Sequence, residues 1–327
     1  MFVRAELHNH STHSDGTMTV EELIDFAAQN KFGTLALTDH NTVSGHSLAS
    51  EITQQKGHEL SFLPGVEVTT FFGHILALGL TQMIPFTHLN PKHPEAFLAE
   101  LHAAGARAVG IAHPYCVGEP IMIGCRFGMT IHDWSVVDYI EVVNTSIAES
   151  EMGNHPLAEA LSGNEQALAL WEILVLGGHR IAAVTGKDIH KPPLEANVFT
   201  TFVQIEDKLA VSRADAVIGA ILSQKTMITK GPLFETSLQE DKLVVKFDNS
   251  SDYLNWNNLY ADRTFILELT DSVGNVICCD TDMAEAVSFP FSLEAQSAVV
   301  KLYEDKRDYE HLLAVGSPIY RTGGNLH

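Results

Sequence analysis

Cysteine is scarce. The chain has four in 327 residues, Cys116, Cys125, Cys278 and Cys279, and no Cys-x-x-Cys pair. That argues against a disulfide framework or a thiolate zinc site, and all four are expected to be small buried apolar residues. Long apolar runs are missing too. None reaches the ~18 residues of a membrane helix. The N-terminus lacks the basic and apolar segments of a secretory leader, so a cytoplasmic location is expected. Positive charge is sparse, with 20 Lys and Arg against 41 Asp and Glu and a formal net charge of −21. Such a surface repels nucleic acid duplexes and anionic membranes. There is no Gly-x-Ser-x-Gly or Walker sequence, so a serine nucleophile or a phosphate-cradling loop of those kinds is not indicated.

What the chain does have is histidine. It has 17, and 15 precede residue 232. Hydrophobic residues make up 45%, ordinary for a globular core, and the length allows one large domain or two. Phe2 to Leu7 reads as a buried strand ending in His8-Asn9-His10. Histidines two apart on a strand point the same way, and Asp15 follows after a short loop. A lone His-x-His is more often a surface or hydrogen-bonded core feature than a ligand pair. Its company along the chain raises the metal reading here.

Thr19-Val20-Glu21-Glu22 is a capping box opening a helix to about Asn30. Strands follow at Thr34–Thr38, Ser61–Thr70, His74–Gly79, Arg107–Ala112, Asp138–Val143, Ile181–Thr185, Val198–Ile205 and Thr226–Thr229. Helices lie at about Val43–Gln55, Pro94–Gly105, Leu157–Leu176 and Ser212–Ser223. The alternation gives a parallel α/β arrangement. Polar residues recur at one place in each unit. His8/His10, His40, Glu67, His113, Asn144 and Asp188/His190 all fall at or just past strand ends, which converge on one face in a barrel. Beyond Pro232 short strands separated by turns suggest a small antiparallel sandwich, structural or oligomer-forming rather than catalytic. The expected division is residues 1–232 and 233–327.

The ordered series His8-x-His10-x-x-x-Ser14-Asp15-Gly16, Thr38-Asp39-His40-Asn41, Gly65-Val66-Glu67, Gly73-His74, His113-Pro114, Glu141-x-x-Asn144 and Gly186-x-Asp188-x-His190 resembles the PHP superfamily, named for polymerase and histidinol phosphatase. Gly231-Pro232 and the β-rich tail resemble its carbaryl-hydrolase-like (CehA/McbA) branch. The resemblance implies a distorted (βα)7 barrel followed by the β-sandwich, with two or three divalent metals (Zn, Mn or Fe) at the strand ends. It implies a first metal on His8, His10, Glu67 and Asp188. A second would sit on Glu67, His74 and His113, and a third on Asp15, His40 and His190. Asn144 looks like a support or substrate contact, and Glu141 either faces the site, if its strand is bulged, or faces solvent. Lys187 departs from the family's small residue. It is either a snorkelled surface lysine or, with Arg126, a contact to a substrate anion.

Neighbouring divalent ions lower the pKa of water from ~15.7 towards neutrality and polarise the attacked oxygen. No side-chain nucleophile is then needed. The leading expectation is a metal-dependent hydrolase, a phosphoesterase acting on a small anionic phosphate ester through a metal-bridging hydroxide. The alternatives are a carbamate or carboxylic ester hydrolase, favoured by the sparse basic residues near the motifs, and a non-catalytic metal-stabilised binding module.

Overall fold

The first strand, β1 (Phe2–Glu6), runs through the middle of the sheet and delivers His8 and His10 just past its end. The computed structural model describes residues 1–57, 59–117, 123–145, 162–192, 198–206, 211–250 and 253–321. Helix α1 (Val20–Gln29) starts at the expected capping box, with Thr19 and Glu22 bonding reciprocally, and buries Val20, Leu23, Ile24 and Ala27. Then come β2 (Thr34–Leu37), α2 (His46–Lys56), β3 (Ser61–Thr70), β4 (Gly73–Leu78), α3 (Glu95–Ala103), β5 (Ala108–Ile111) and β6 (Tyr139–Asn144). Next are α4 (Gly163–Leu176), β7 (Ala182–Gly186), β8 (Thr200–Gln204), α5 (Arg213–Leu222) and β9 (Thr226–Thr229). The first residues of the expected helix from Leu157 lie outside the described residues.

The pairs β1–β2, β2–β3, β5–β6 and β6–β7 are parallel, while β4 runs antiparallel between β3 and β5, and β8 antiparallel to β1. A single bridge, Asn9 to Ile189, joins the chain after β1 to the chain after β7. Alternate residues of β1 to β8, among them Val3, Ala5, Leu63, Leu76, Tyr139, Val184 and Val203, meet Val217, Ile218 and Ile221 of α5 in one apolar cluster. The same alternation sends the opposite faces of β3 to β7 to α3 and α4, where Trp171 is fully buried, and that of β2 to α1 and α2.

The tail contains β10 (Leu233–Gln239), β11 (Lys242–Asp248), β12 (Phe265–Asp271), β13 (Val276–Thr281), β14 (Val287–Pro290), β15 (Ser297–Glu304), β16 (Leu312–Val315) and β17 (Ile319–Tyr320). β10, β11 and β14 form a small antiparallel sheet. The others do not form a free-standing second sheet. β16, a strand the sequence reading did not include, pairs with β9, so β12, β13 and β15 continue the large sheet.

The cysteine expectation is corrected. Cys116 and Cys125 are disulfide-bonded, and Cys278 is exposed. Spacing alone did not show that the loop folds back so that Phe127 N–H donates to Pro114 O. Among the described residues no helix is long and apolar enough to cross a membrane.

Candidate metal centre

Strand geometry places the donors. His8 and His10 emerge on one side, Glu67 from inside β3, Asp188 two residues beyond β7, and all four are buried. His8 Nε2 lies 3.3 Å from Glu67 Oε2 and 3.4 Å from Asp188 Oδ1; His10 Nε2 lies 3.2 Å and 2.9 Å from the same two oxygens. The two Nε2 atoms are 3.2 Å apart. Yet Glu67 Oε2 and Asp188 Oδ1 are buried without a hydrogen bond of acceptable geometry. Bare buried carboxylate oxygens are costly. Donors at the corners of a tetrahedron with bonds of ~2.1 Å sit about 3.4 Å apart, which matches these spacings.

Glu67 faces both ways. Its Oε1 lies 2.8 Å from His74 Nδ1 and 3.2 Å from His113 Nε2. A third group stands nearer the surface, with Asp15 Oδ1 3.5 Å from His40 Nε2 and 3.3 Å from His190 Nε2. His40 stacks on His10 at 4.2 Å between ring centroids, and Nδ1 of His40 is 2.8 Å from Glu67 Oε2. All nine histidine, aspartate and glutamate positions expected from the sequence therefore lie in one contiguous cluster.

The backbone is strained where it presents two of them. Asp188 has φ +48° and His113 φ +24°, a region that non-glycine residues adopt uncommonly. Gly186 is obligatory, because a Cβ there would coincide with the Glu141 carboxylate.

Electrostatics follow from crowding. Burial opposes charging His8, but Asp188, Glu141 and Glu67 hold its pKa well above the usual value. Burial likewise opposes His10, yet the Asp188 and Glu67 carboxylates beside it raise it to about 9. Burial would lift the acids, but the surrounding imidazoles hold Glu67 and Asp188 well below the carboxylate range. Burial and the neighbouring His113 and His40 lower His74 despite its bond to Glu67. Protons on these imidazoles stand where divalent cations would balance the same carboxylates.

A ring of partners holds the donors. The β6 bulge between Glu141 and Val143 turns Glu141 inward, where it accepts from His8 Nδ1 (3.0 Å) and from the His113 N–H (2.7 Å). Asn144 Nδ2 donates to Asp188 Oδ2 at 3.2 Å, so it supports a donor. Two acids escaped the sequence reading. Asp39 accepts from Ser11 N–H (2.6 Å), Ser11 Oγ (2.8 Å) and Ser14 Oγ (2.6 Å), fixing the loop to Asp15. Glu6 accepts from the N–H groups of His8 and Lys187. Asp39 sits within a quoted motif and Glu6 two residues before another, but their inward direction is not in the spacing.

The two cations fare differently. Lys187 is buried, only 4% exposed, which removes the snorkelled reading. Arg126 is exposed and its guanidinium lies 5.7 Å from the Tyr115 ring centroid. Cys125 Sγ approaches His113 Nδ1 at 3.9 Å.

A buried cluster of nitrogen and oxygen donors at the strand ends of an α/β fold defines a candidate metalloprotein. Residues 6–134 match the PHP domain family, which supports the PHP superfamily for this chain. Among curated proteins, a 79-residue stretch is 39% identical to the 5'-3' exoribonuclease Rnm of Escherichia coli (23% of this chain, 27% of that protein). Another, of 84 residues, is 40% identical to a 3',5'-nucleoside bisphosphate phosphatase of Chromobacterium violaceum (24% and 29%). The matched stretches thus span less than a third of either relative's length. A solved structure from Bacteroides vulgatus, described as a two-domain protein containing a predicted PHP-like metal-dependent phosphoesterase, shares the fold. Its TM-score is 0.52 at 16% identity, over 93% of this chain and 90% of that one.

Proposed function

We propose that this chain is a metal-dependent phosphoesterase that hydrolyses a small anionic phosphate ester. The observation that carries the reading is the orphaned pair Glu67 Oε2 and Asp188 Oδ1, enclosed by His8 Nε2 and His10 Nε2 at donor–donor spacings. His8, His10, Glu67 and Asp188 would hold one divalent ion, Glu67, His74 and His113 a second, and Asp15, His40 and His190 a third. Zinc, manganese and iron all suit this thiolate-free donor set. Bound there, such ions supply a Lewis acid and a water acidic enough to ionise near neutral pH.

The protein's own part is orientation. Glu141 takes the His8 Nδ1 proton side, so His8 Nε2 turns its lone pair inward. Asn144 pins Asp188 in the same way. Asp39 fixes the loop that carries Asp15 to the mouth. The buried floor excludes bulk water, while His190 and Asp15 stay accessible to an incoming ester.

The finer points belong to this reading as well. The strands β1 to β7 form the distorted (βα)7 barrel, supported by the shared interior cluster and the Asn9–Ile189 bridge. The tail after Pro232 is read as the β-sandwich accessory part, supported by the apolar cluster that β10, β11 and β14 share with β12 and β15. The location is cytoplasmic, although the Cys116–Cys125 bond is unusual for a reducing compartment. The carbaryl-hydrolase-like branch, with carbamate esters as substrates, is the second reading. It is favoured by the paucity of cations, since Lys187 is buried and Arg126 is occupied against Tyr115.

The test is reconstitution with Zn, Mn or Fe(II), followed by phosphate release from nucleotides and sugar phosphates beside naphthol release from an aryl carbamate. Phosphate release lost on chelation supports the first reading. Naphthol release alone transfers the case to the second.

A further inference from the structure

Two adjacent phenylalanines stand in solvent beside the cage. Phe71 is 68% exposed and Phe72 40%, and among the described residues no other phenylalanine, tyrosine or tryptophan is exposed. They form the tip of the β3–β4 hairpin, whose two strands carry Glu67 and His74. Their rings meet edge to face, 6.0 Å between centroids at 77°. Exposed apolar side chains clustered in this way, beside a buried polar site, mark a contact surface.

The tip is held firmly. Thr70 Oγ1 donates to Gly73 O (2.7 Å) and accepts from Phe72 N–H (3.0 Å), and Gly128 N–H donates to Phe72 O (2.8 Å). Gly73 has φ +129°, and a Cβ there would strike Phe127, so only glycine lets the loop 123–128 close on the hairpin. That loop brings Ile123, 61% exposed, to the same rim, because Gly124 packs on Thr70 O and the Phe71 Cα.

The cage is close on both sides. Thr69 Oγ1, two residues before Phe71, lies 2.5 Å from His40 Nδ1. His74, two residues after Phe72, is about 7 Å along the strand at ~3.3 Å per residue. A phosphate ester seated at His40 and His74 would carry its ester substituent across the two rings.

We propose that Phe71 and Phe72 form a stacking lip that selects phosphate esters bearing a planar aromatic group. This rests on the phosphoesterase reading and deepens it. Rings take up flat aromatic groups offset or edge-on and give nothing comparable to an aliphatic sugar alone.

The experiment compares the metal-loaded wild type with the F71A/F72A double variant on three substrates. They are adenosine monophosphate, p-nitrophenyl phosphate and ring-less ribose 5-phosphate. Neither phenylalanine is a metal donor, so metal content and ribose 5-phosphate kinetics should hold within about twofold. KM for the ring-bearing esters should rise about tenfold or more, as expected for a lost stacking partner. A rise on adenosine monophosphate alone identifies a nucleobase, and a rise on both identifies any aryl group. An equal change on all three, or none on the ring-bearing pair, overturns the lip.

A Phe71→Trp variant keeps the test alive if no ester is turned over, an outcome that would sink the phosphoesterase reading by itself. Tryptophan emission quenched by adenosine monophosphate but not by ribose 5-phosphate supports the lip. Equal quenching, or none, overturns it.

Discussion

Where β1, β3, β6 and β7 come together, His8, His10, Glu67, Glu141 and Asp188 are buried with their polar atoms facing one another. In the tail the buried side chains of β11, β12 and β15 are Leu243, Val245, Leu267, Leu269, Val300 and Leu302. The tail does bury acids, but it sets cations or amides beside them, and even Glu304 Oε2, which lacks a hydrogen bond, has Arg263 Nε at 3.4 Å. Glu268 takes Lys301 (3.0 Å) and Arg307 (2.8 Å), and Asp271 takes the N–H groups of Val273 and Asn275. An acid with cationic or amide partners contributes to a fold by itself. An acid with an orphaned oxygen beside imidazoles waits for something else. The contrast sets the polarity that holds a fold apart from the polarity of a candidate metal site, and it can be broken or sharpened by mutation.

The largest effect is expected on turnover. Asp188→Ala should lower phosphate ester hydrolysis by about a thousandfold or more, several kcal/mol of transition-state stabilisation. Metal measured by elemental analysis should fall with it. Glu268→Ala in the tail should leave turnover per bound metal within about twofold, because it touches no donor.

Next comes metal affinity. Glu141→Gln keeps the shape but weakens the hold on His8, and metal binding measured by competition with a chromophoric chelator should weaken about 10- to 100-fold.

Stability effects are smaller. Lys301 Nζ joins Glu172 of α4 (2.9 Å) to Glu268 of β12 (3.0 Å), and Ser297 Oγ donates to Val175 O across the same seam. Lys301→Met should cost about 2 kcal/mol in denaturant unfolding, less than a fully buried pair because the group stays partly wet and Glu268 keeps Arg307. Metal content should not change.

The smallest expected effect has a definite sign. His10 in the metal-free protein titrates at about 9, above the ~6.5 of an unfolded histidine. A raised pKa contributes stability that is complete below ~6.5 and lost as pH climbs towards 9. The metal-free melting temperature should therefore fall by a few degrees over that window. Metal affinity should rise over the same window, since ligation needs the unprotonated imidazole.

Much of this was legible in the sequence, for a physical reason. Strand period fixes which residues reach a strand's end, so His8, His10, His40, Glu67, His113 and Asp188 were readable before any coordinates. His74 was readable only through its motif. What escaped depended on local departures from that period. The direction of Glu141 was left open because it turns on the β6 bulge, and Asp39 escaped because it faces inward only through the loop after β1 folding onto it. The Cys116–Cys125 bond depends on a loop returning to Pro114. β16 is four apolar residues, too short to show a period, and only its pairing with β9 reveals that the tail continues the large sheet.

The central claim is that separate imidazoles and carboxylates are gathered to hold cations. The most direct measurement is anomalous diffraction at the metal absorption edges from crystals of the reconstituted protein. The account predicts one peak within ~2.0–2.2 Å bonds of His8, His10, Glu67 and Asp188, and another beside Glu67, His74 and His113. A protein that hydrolyses its ester with no peak at either place would contradict it.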